Sequence, residues 1–428
     1  MRIGGYATAK RTGRRGVRVT IRRRDEVSVE NEDSELPFAR ATAQRAAHEF
    51  ASALLELAEY LARRQPVTVD ADALDAALSV PDAKRDETLD QLRTLGSPLS
   101  STLRPSGLGQ LLRDVNVMDS RDPVPEVTFA DKLEAPILWD MLYDGRQSDE
   151  LEWQRFWGFR VPITHWLGRN RPREILLQRG LFTALNEDLR FAGTEVDELA
   201  CRHPGLASDP LRLGEDLRRQ AGDALSGRPD DLALADDALT EFLHELRSGS
   251  DDGGLRAKQW LRKALVATLN RAISRDVLHF ACHCHPGANT EFLSQLDLTI
   301  AGQQVLLDAG TLGDLTLEPR RMAGPFVFLN ACGTAQANAA FEPPGFPTRW
   351  IESGGAVAVL ATLCPVPDYF AFAFARHFYN NLFDAMGAGS ASPAVALLET
   401  RRHFMREHGN PLGLAYVLYA DKDTEFVS

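Results

Sequence analysis

The chain has 428 residues, of which 44% are apolar and 25% charged, with 48 basic against 60 acidic residues and a net charge of -12. This is the profile of a globular protein of two or three domains, or of one large domain with an accessory region, and a core of that size needs no covalent staples. The acidic balance excludes a general attraction to nucleic acid or to anionic lipid, and no apolar stretch reaches the length of a membrane span.

The charge is uneven at the start. Met1–Arg24 carries nine basic residues and no acidic one, and Asp25–Glu35 is acid-rich. The first stretch reads as a solvated tail, or more sharply as a docking arm for nucleic acid or a partner. Within it "GVRVTIRRR" alternates Val17, Val19 and Ile21 with polar residues, which predicts an edge strand. Residues 1–36 therefore form a segment of their own. A helical accessory region follows over 37–122. Phe50, Leu54, Leu57 and Leu61 fall on one face of a helix predicted for Pro37–Arg64, and Pro66 stops it. A second helix is predicted from Asp82 to Leu95, ending at Gly96, with "STLRPSG" as a turn.

After Pro123 the texture changes. "APILWDMLYDG" and "FWGFRVPITHWL" are aromatic-rich, and Trp139, Phe156 and Trp157 read as core. "REILLQ" reads as a strand and "GTEVDELACRH" as a short helix, on which Cys201 is a filler of the helix face. Residues 206–254 are polar and read as exposed, with a helix at Asp236–Arg247 and a place where self-cleavage could occur. They close the unit 123–254. From 255 to 428 the pattern is regular: a helix at Leu255–Arg275, strands at Val277–His283, Phe326–Ala331, Ala356–Thr362 and Ala415–Ala420, and helices at Pro347–Ser353, Asp368–Phe383 and Ser392–His408. Alternating strands and helices predict an α/β fold with a mostly parallel central sheet, whose reactive residues sit at the carboxyl ends of strands. His283 and Cys332 both fall at such ends.

The stretch "VLHFACHCHP" raises three chemistries. A zinc site would need His285, His279 or Cys364 to complete Cys282 and Cys284, which are spaced one residue apart rather than two to four. The same spacing fits redox pairing poorly. A thiol–imidazole pair asks less: Cys332 follows an apolar strand and precedes Gly333, and His283 ends another strand. A free thiol is only a few per cent thiolate at neutral pH, so a neighbouring imidazole that takes its proton makes it a nucleophile. His279 shares the strand face of His283 and reads as a satisfied core histidine, with support of the pair as the alternative. Cys282 reads as buried on the opposite face and His285 as a loop residue. The odd cysteine count and the lack of a secretory segment after Met1 point to the cytoplasm.

"DVLHFACHC", then "FVFLNACGTA", then "ESGGAVAVLATLCPVPD" together resemble the CHAT-type peptidases, bacterial relatives of caspases, gingipains and separase. "LGSPLSSTL", "APILWDMLYDG", "FARHFYNNLF", "SPAVALLETRRHF" and "LAYVLYAD" extend the resemblance from about Leu89 to the C-terminus. It implies a caspase-like fold with an N-terminal helical accessory region and no cofactor. It implies His283 as base, Cys332 as nucleophile, the backbone amides of Cys284 and Cys332 as oxyanion donors, and Asp368 facing a basic substrate side chain. Asp368 reads equally as a helix N-cap. The chain departs from the family where Cys284 replaces a glycine, Cys364 a tryptophan and Asp140 a glutamate. A cysteine at a position demanding positive φ would be strained and could distort the oxyanion turn.

The expected function is a cytoplasmic cysteine endopeptidase working through a thioester acyl-enzyme. The resemblance implies a regulated bacterial effector of defence or cell death that cleaves a protein partner, one encoded by a neighbouring gene, with an activator acting at the N-terminal helical region. The competing reading is an inactive pseudoprotease that serves as a binding scaffold.

Overall fold

The computed structural model describes residues 16–23, 26–35, 40–66, 70–105, 126–131, 137–145, 149–166, 174–203, 206, 210–226, 240, 244, 252–285, 295–300, 302–315, 324–331, 345–387, 389–420 and 424–427. In chain order its elements are β1 (Gly16–Arg23), β2 (Glu26–Glu35), α1 (Arg40–Ala62), α2 (Ala71–Leu78), α3 (Asp82–Leu103), β3 (Glu126–Asp131), α4 (Trp157–Arg160), β4 (Ile163–Trp166), β5 (Glu174–Leu176), β6 (Leu181–Leu185), α5 (Ala192–Arg202), β7 (Leu211–Arg212), α6 (Leu213–Ser226), α7 (Asp252–Ala272), β8 (Val277–His285), β9 (Gln295–Ile300), β10 (Gln303–Asp308), β11 (Phe326–Ala331), α8 (Phe346–Glu352), β12 (Ala358–Thr362), α9 (Asp368–Met386), β13 (Ser390–Ala391), α10 (Pro393–His408), β14 (Tyr416–Ala420) and β15 (Glu425–Val427).

A 12-stranded sheet organises the molecule. Its order is β10-β9-β8-β11-β12-β14-β4-β3-β1-β2, and β6, with β7 beyond it, also joins β8. The strands β6, β8, β11 and β12 are mutually parallel, as are β14, β4 and β3; the two sets meet antiparallel at β12 and β14. Hairpins β1–β2 and β9–β10 add antiparallel margins. Strands covered on both faces must be apolar throughout, which is why "VLHF" and "FVFL" are continuous hydrophobic runs; all eight of those residues are buried. On one face Phe328 and His279 meet Tyr379 of α9; on the other Phe280 meets Trp350 of α8. The expected fold class, a mostly parallel sheet flanked by helices with a helical N-terminal region, is the one observed.

Several local expectations are corrected. β1 lies between β2 and β3, so the edge strand is the acid-rich β2. Charge along an edge opposes pairing with another chain. Helix α3 does not stop at Gly96 but runs on to Leu103. Gly96 is required there because a Cβ would lie 2.0 Å from the carbonyl oxygen of Met141. Cys201 is exposed rather than packed on its helix. His285 belongs to β8, opposite Gln295, rather than to a loop. The helix expected at Asp236–Arg247 falls largely outside the described residues.

The accessory helices dock on the sheet domain through backbone carbonyls. Arg64 donates to Ser79 O at 2.7 Å, which ties the end of α1 to the end of α2. The amide of Val80 donates to His408 O at 2.8 Å, and Asn410 Nδ2 to Leu78 O at 2.8 Å. On that side of the sheet the aromatic-rich segment packs as core: Trp139 stacks on Phe129 with ring centroids 4.2 Å apart. Trp139, Phe156 and Trp157 are all buried.

A buried polar knot holds that segment in place. Asp140, Arg401 and His165 are nearly inaccessible; Arg401 Nη1 lies 2.7 Å from Asp140 Oδ1, and His165 Nε2 2.7 Å from Asp140 Oδ2. Burial would raise the Asp140 pKa, but Arg401 and then His165 more than offset it and hold the carboxyl at about 2. Arg401 also donates to Gly158 O at 3.0 Å and to Gly413 O at 3.3 Å. One side chain thus gathers the loop before α4, the turn before β14 and helix α10, an arrangement that depends on all its donors being used.

Candidate active site at the ends of β8 and β11

Strands β8 and β11 are neighbours, parallel and in continuous register from Val277–Phe326 to Cys282–Ala331. The next residue along β8 is His283. It is exposed, on the same strand face as His279, and its register partner on β9 is Asp297. The residue after Ala331 is Cys332, which lies outside the described residues. So the structure describes one member of the expected pair, and the strand that delivers the other up to its last residue.

Cys284 is buried, paired in β8 opposite Leu296, and therefore in extended backbone. The strain expected from a cysteine in a glycine position is absent, because an extended residue needs no positive φ. Cys282 is buried too; both point to the face opposite His283, since side chains alternate along a strand.

Beneath His283 lies a buried polar network that the sequence did not reveal. Glu195 of α5 is 5% exposed, and its Oε1 accepts a hydrogen bond from Asn330 Nδ2 at 2.7 Å and lies 2.8 Å from His279 Nε2. His279 Nδ1 is 3.0 Å from the Tyr379 hydroxyl. Asn330 Nδ2 also donates to Ala371 O at 3.1 Å, and Asn330 Oδ1 accepts from the Tyr416 hydroxyl at 2.8 Å. Burial, then the nearby Glu195 charge, pushes the Tyr379 hydroxyl well above its usual pKa, so it stays a neutral donor or acceptor. His279 is a buried core histidine as expected, but only its Nδ1 is hydrogen-bonded, to Tyr379, while Nε2 lies near Glu195 outside hydrogen-bond geometry; the network joins β8, β11, β14, α5 and α9. The readable trace of Glu195 in the sequence is its place beside Ala192, Val196 and Leu199, on the apolar face of "GTEVDELACRH".

Asp368 opens α9, but it does not cap that helix; its N-cap is Pro367, without a side-chain bond. Instead its Oδ2 accepts from the backbone N–H of Phe191, at the start of α5, at 3.0 Å. Burial raises its pKa; the Phe191 and Arg190 amides oppose that, Glu195 adds to it, and His283 lowers it.

Among the described residues no three His, Cys, Asp or Glu side chains converge as metal ligands. No helix among them is long and apolar enough to cross a membrane. A cavity of about 710 Å³ lined by Trp153, Arg155, Arg160, Arg402 and Arg406 shares no residue with this site.

Residues 206–416 match the family model of the CHAT domain. No curated protein sequence matches the chain. Among solved structures, the Saccharomyces cerevisiae separase–securin complex is similar at 12% identity and a TM-score of 0.40, covering 89% of this chain and 27% of that one. The Arg-specific cysteine proteinase gingipain R is similar at 10% identity and a TM-score of 0.39, covering 82% of this chain and 74% of that one. The chain thus spans about a quarter of the separase chain.

Proposed function

We propose that this chain, which carries a CHAT domain over residues 206–416, is a cysteine endopeptidase with His283 as base and Cys332 as nucleophile. The observation that carries the reading is the register of β8 on β11, which ends with Cys282 opposite Ala331; in the sequence His283 follows the first and Cys332 the second. Neighbouring strands lie about 4.8 Å apart, so a thiol and an imidazole issuing from them at one level are within each other's reach.

In this mechanism His283 takes the thiol proton and the Cys332 sulfur attacks the scissile carbonyl carbon. The oxyanion that forms is met by backbone N–H groups, for which the amides of Cys284 and Cys332 are the candidates. The C–N bond then breaks, the histidine returns its proton to the departing amine, and a thioester remains. Water, deprotonated by the same imidazole, hydrolyses the thioester and regenerates the thiol. Asp368 is the candidate for pairing with a basic side chain of the substrate. No cofactor enters these steps.

We further propose a regulated effector acting on one protein partner, its substrate, encoded nearby, in a bacterial cytoplasm. The accessory helices would receive the activating partner. The pseudoprotease reading was motivated by strain at Cys284, and the extended backbone there removes that motive.

A peptidyl acyloxymethyl ketone with arginine next to its warhead tests the dyad in the intact chain. Selective modification of Cys332, lost in His283→Ala, is expected; equal labelling of all thiols, or labelling indifferent to His283, overturns the reading.

A further inference from the structure

The wall of the candidate site is not held by the sheet domain alone. Two consecutive residue pairs tie it to the accessory helices. Asp368, the candidate for pairing with a basic substrate side chain, is followed by Tyr369, which is fully buried; its hydroxyl donates to Leu61 O at 2.9 Å, with Ala77 O 3.3 Å away. These carbonyls belong to the last turns of α1 and α2. Phe191, whose amide holds Asp368, is preceded by Arg190, whose Nη1 donates to Pro66 O at 2.8 Å just beyond α1. The pairs close on one another, because Phe191 also stacks on Phe372, one turn into α9, at 5.7 Å.

We infer that Tyr369 and Arg190 are positioning residues that make the placement of the Asp368 carboxylate depend on where the ends of α1 and α2 sit. The inference rests on the peptidase reading of the site and deepens it. The physical reason is the shortness of the lever. Tyr369 and Asp368 share one peptide bond, as do Arg190 and Phe191, and such adjacent backbone transmits an ångström-scale shift without slack. The ends of α1 and α2 are themselves one unit, since Arg64 bridges them. A helix end also has unsatisfied carbonyls that accept a new donor readily. A protein that bound the accessory helices and drew 61–79 away would therefore move Asp368 while leaving the strand register of β8 and β11 intact. The site would keep its nucleophile and lose, or gain, its grip on a basic side chain.

The test uses the full chain and three variants: Tyr369→Phe, which deletes only the hydroxyl; Arg190→Met, which deletes the donor; and Arg190→Lys, which restores one. Modification of Cys332 is followed by mass spectrometry with two probes, the arginyl acyloxymethyl ketone and iodoacetamide. Tyr369→Phe and Arg190→Met are expected to slow the arginyl probe about tenfold, the equivalent of one hydrogen bond of about 1.4 kcal/mol, with iodoacetamide unchanged and Arg190→Lys close to wild type. Unchanged rates with both probes, or an equal fall with both, overturn the inference. Hydrogen–deuterium exchange decides it without chemistry. Tyr369→Phe should raise exchange at residues 190–192, which it does not touch, and no change there refutes the coupling. Wild-type protein inert to the arginyl probe at Cys332 sinks the peptidase reading instead, and exchange at 190–192 still decides whether the coupling exists.

Discussion

Cys282 of β8 and Ala331 of β11 are register partners on adjacent parallel strands, the last such pair between these two strands. Everything proposed about chemistry follows from what the sequence places next on each strand. Cys332→Ala and His283→Ala should each abolish cleavage of the native protein target, a loss of at least about a thousandfold. Circular dichroism and melting should remain those of the wild type, because His283 is exposed and leaves no cavity behind. Cleavage retained in either variant would refute the dyad.

Glu195 is the member of the buried network with no substitute nearby. Glu195→Leu would leave His279 Nε2 without the carboxylate near it and Asn330 Nδ2 with Ala371 O alone, each at a cost of about 1–3 kcal/mol. We expect a stability loss of about 2–4 kcal/mol in urea unfolding. Glu195→Gln keeps an acceptor for Asn330 and should recover most of it. Equal stability of Glu195→Leu and wild type would show that the network is incidental.

Gly96 marks a close approach of backbone to backbone. A Cβ there would stand 2.0 Å from Met141 O and 3.1 Å from Tyr143 N. Neither is the end of a flexible chain, so α3 or the Trp139–Met141 turn must shift. Gly96→Ala should cost at least about 2 kcal/mol despite the better helix propensity of alanine. A melting temperature equal to or above the wild type would contradict the contact.

What was legible in the sequence is what burial imposes. β8, β11, β12 and β14 were readable because both their faces are covered, so their residues form unbroken apolar runs. Helix α1 is readable from one-sided periodicity and from Pro66 beyond its end, and α10 from Ser392 at its start. β4, with "ITHW", and β6, with "LFTAL", are too short to show a period, and only their partners define them. Gly96 reads as a helix stop, since a glycine needed for close approach looks the same in sequence as one needed for a turn. The two polar knots were hidden for another reason. Glu195 and Asp140 are ordinary surface residues by type, and only the apolar residues around each, as in "ILWDML", betray that they are inside. Asp368 lay between two readings, and the hydrogen bond to Phe191 separates it from its own helix.

The Asp140 knot makes an acid-lability prediction. Its folded pKa, about 2, lies below the 3.8 of an ordinary aspartate. A depressed carboxyl contributes stability that is present above the unfolded value and lost as pH falls through the folded one. Stability should therefore drop by roughly 2 kcal/mol between about pH 4 and pH 2 from this group. Asp140→Asn should remove that step from the pH profile and lower stability at neutral pH, because the Arg401 charge would be left buried without its partner. An unchanged acid limb in Asp140→Asn would show that other carboxylates govern it.

Asp368 presents the opposite sign. Its pKa is raised, chiefly by burial and further by Glu195, against the pull of the Phe191 and Arg190 amides and of His283. A carboxyl raised in the fold contributes stability below its unfolded pKa and loses it as pH climbs through the folded value, so at neutral pH its charge works against folding. Asn at 368 would still offer an oxygen to the Phe191 amide. Asp368→Asn should therefore melt at or above the wild-type temperature at pH 7, with the difference vanishing at acid pH where the aspartate is already neutral. Its effect on chemistry should run the other way: a carboxylate that pairs with a basic substrate side chain in a half-buried site is worth several kcal/mol when deleted, so turnover of arginyl peptides should fall by about a hundredfold. Reactivity of Cys332 toward iodoacetamide should not change. If Asp368→Asn lost stability and kept its arginyl turnover, the residue would be a cap on α5 and nothing more, and the basic specificity would have to come from another group.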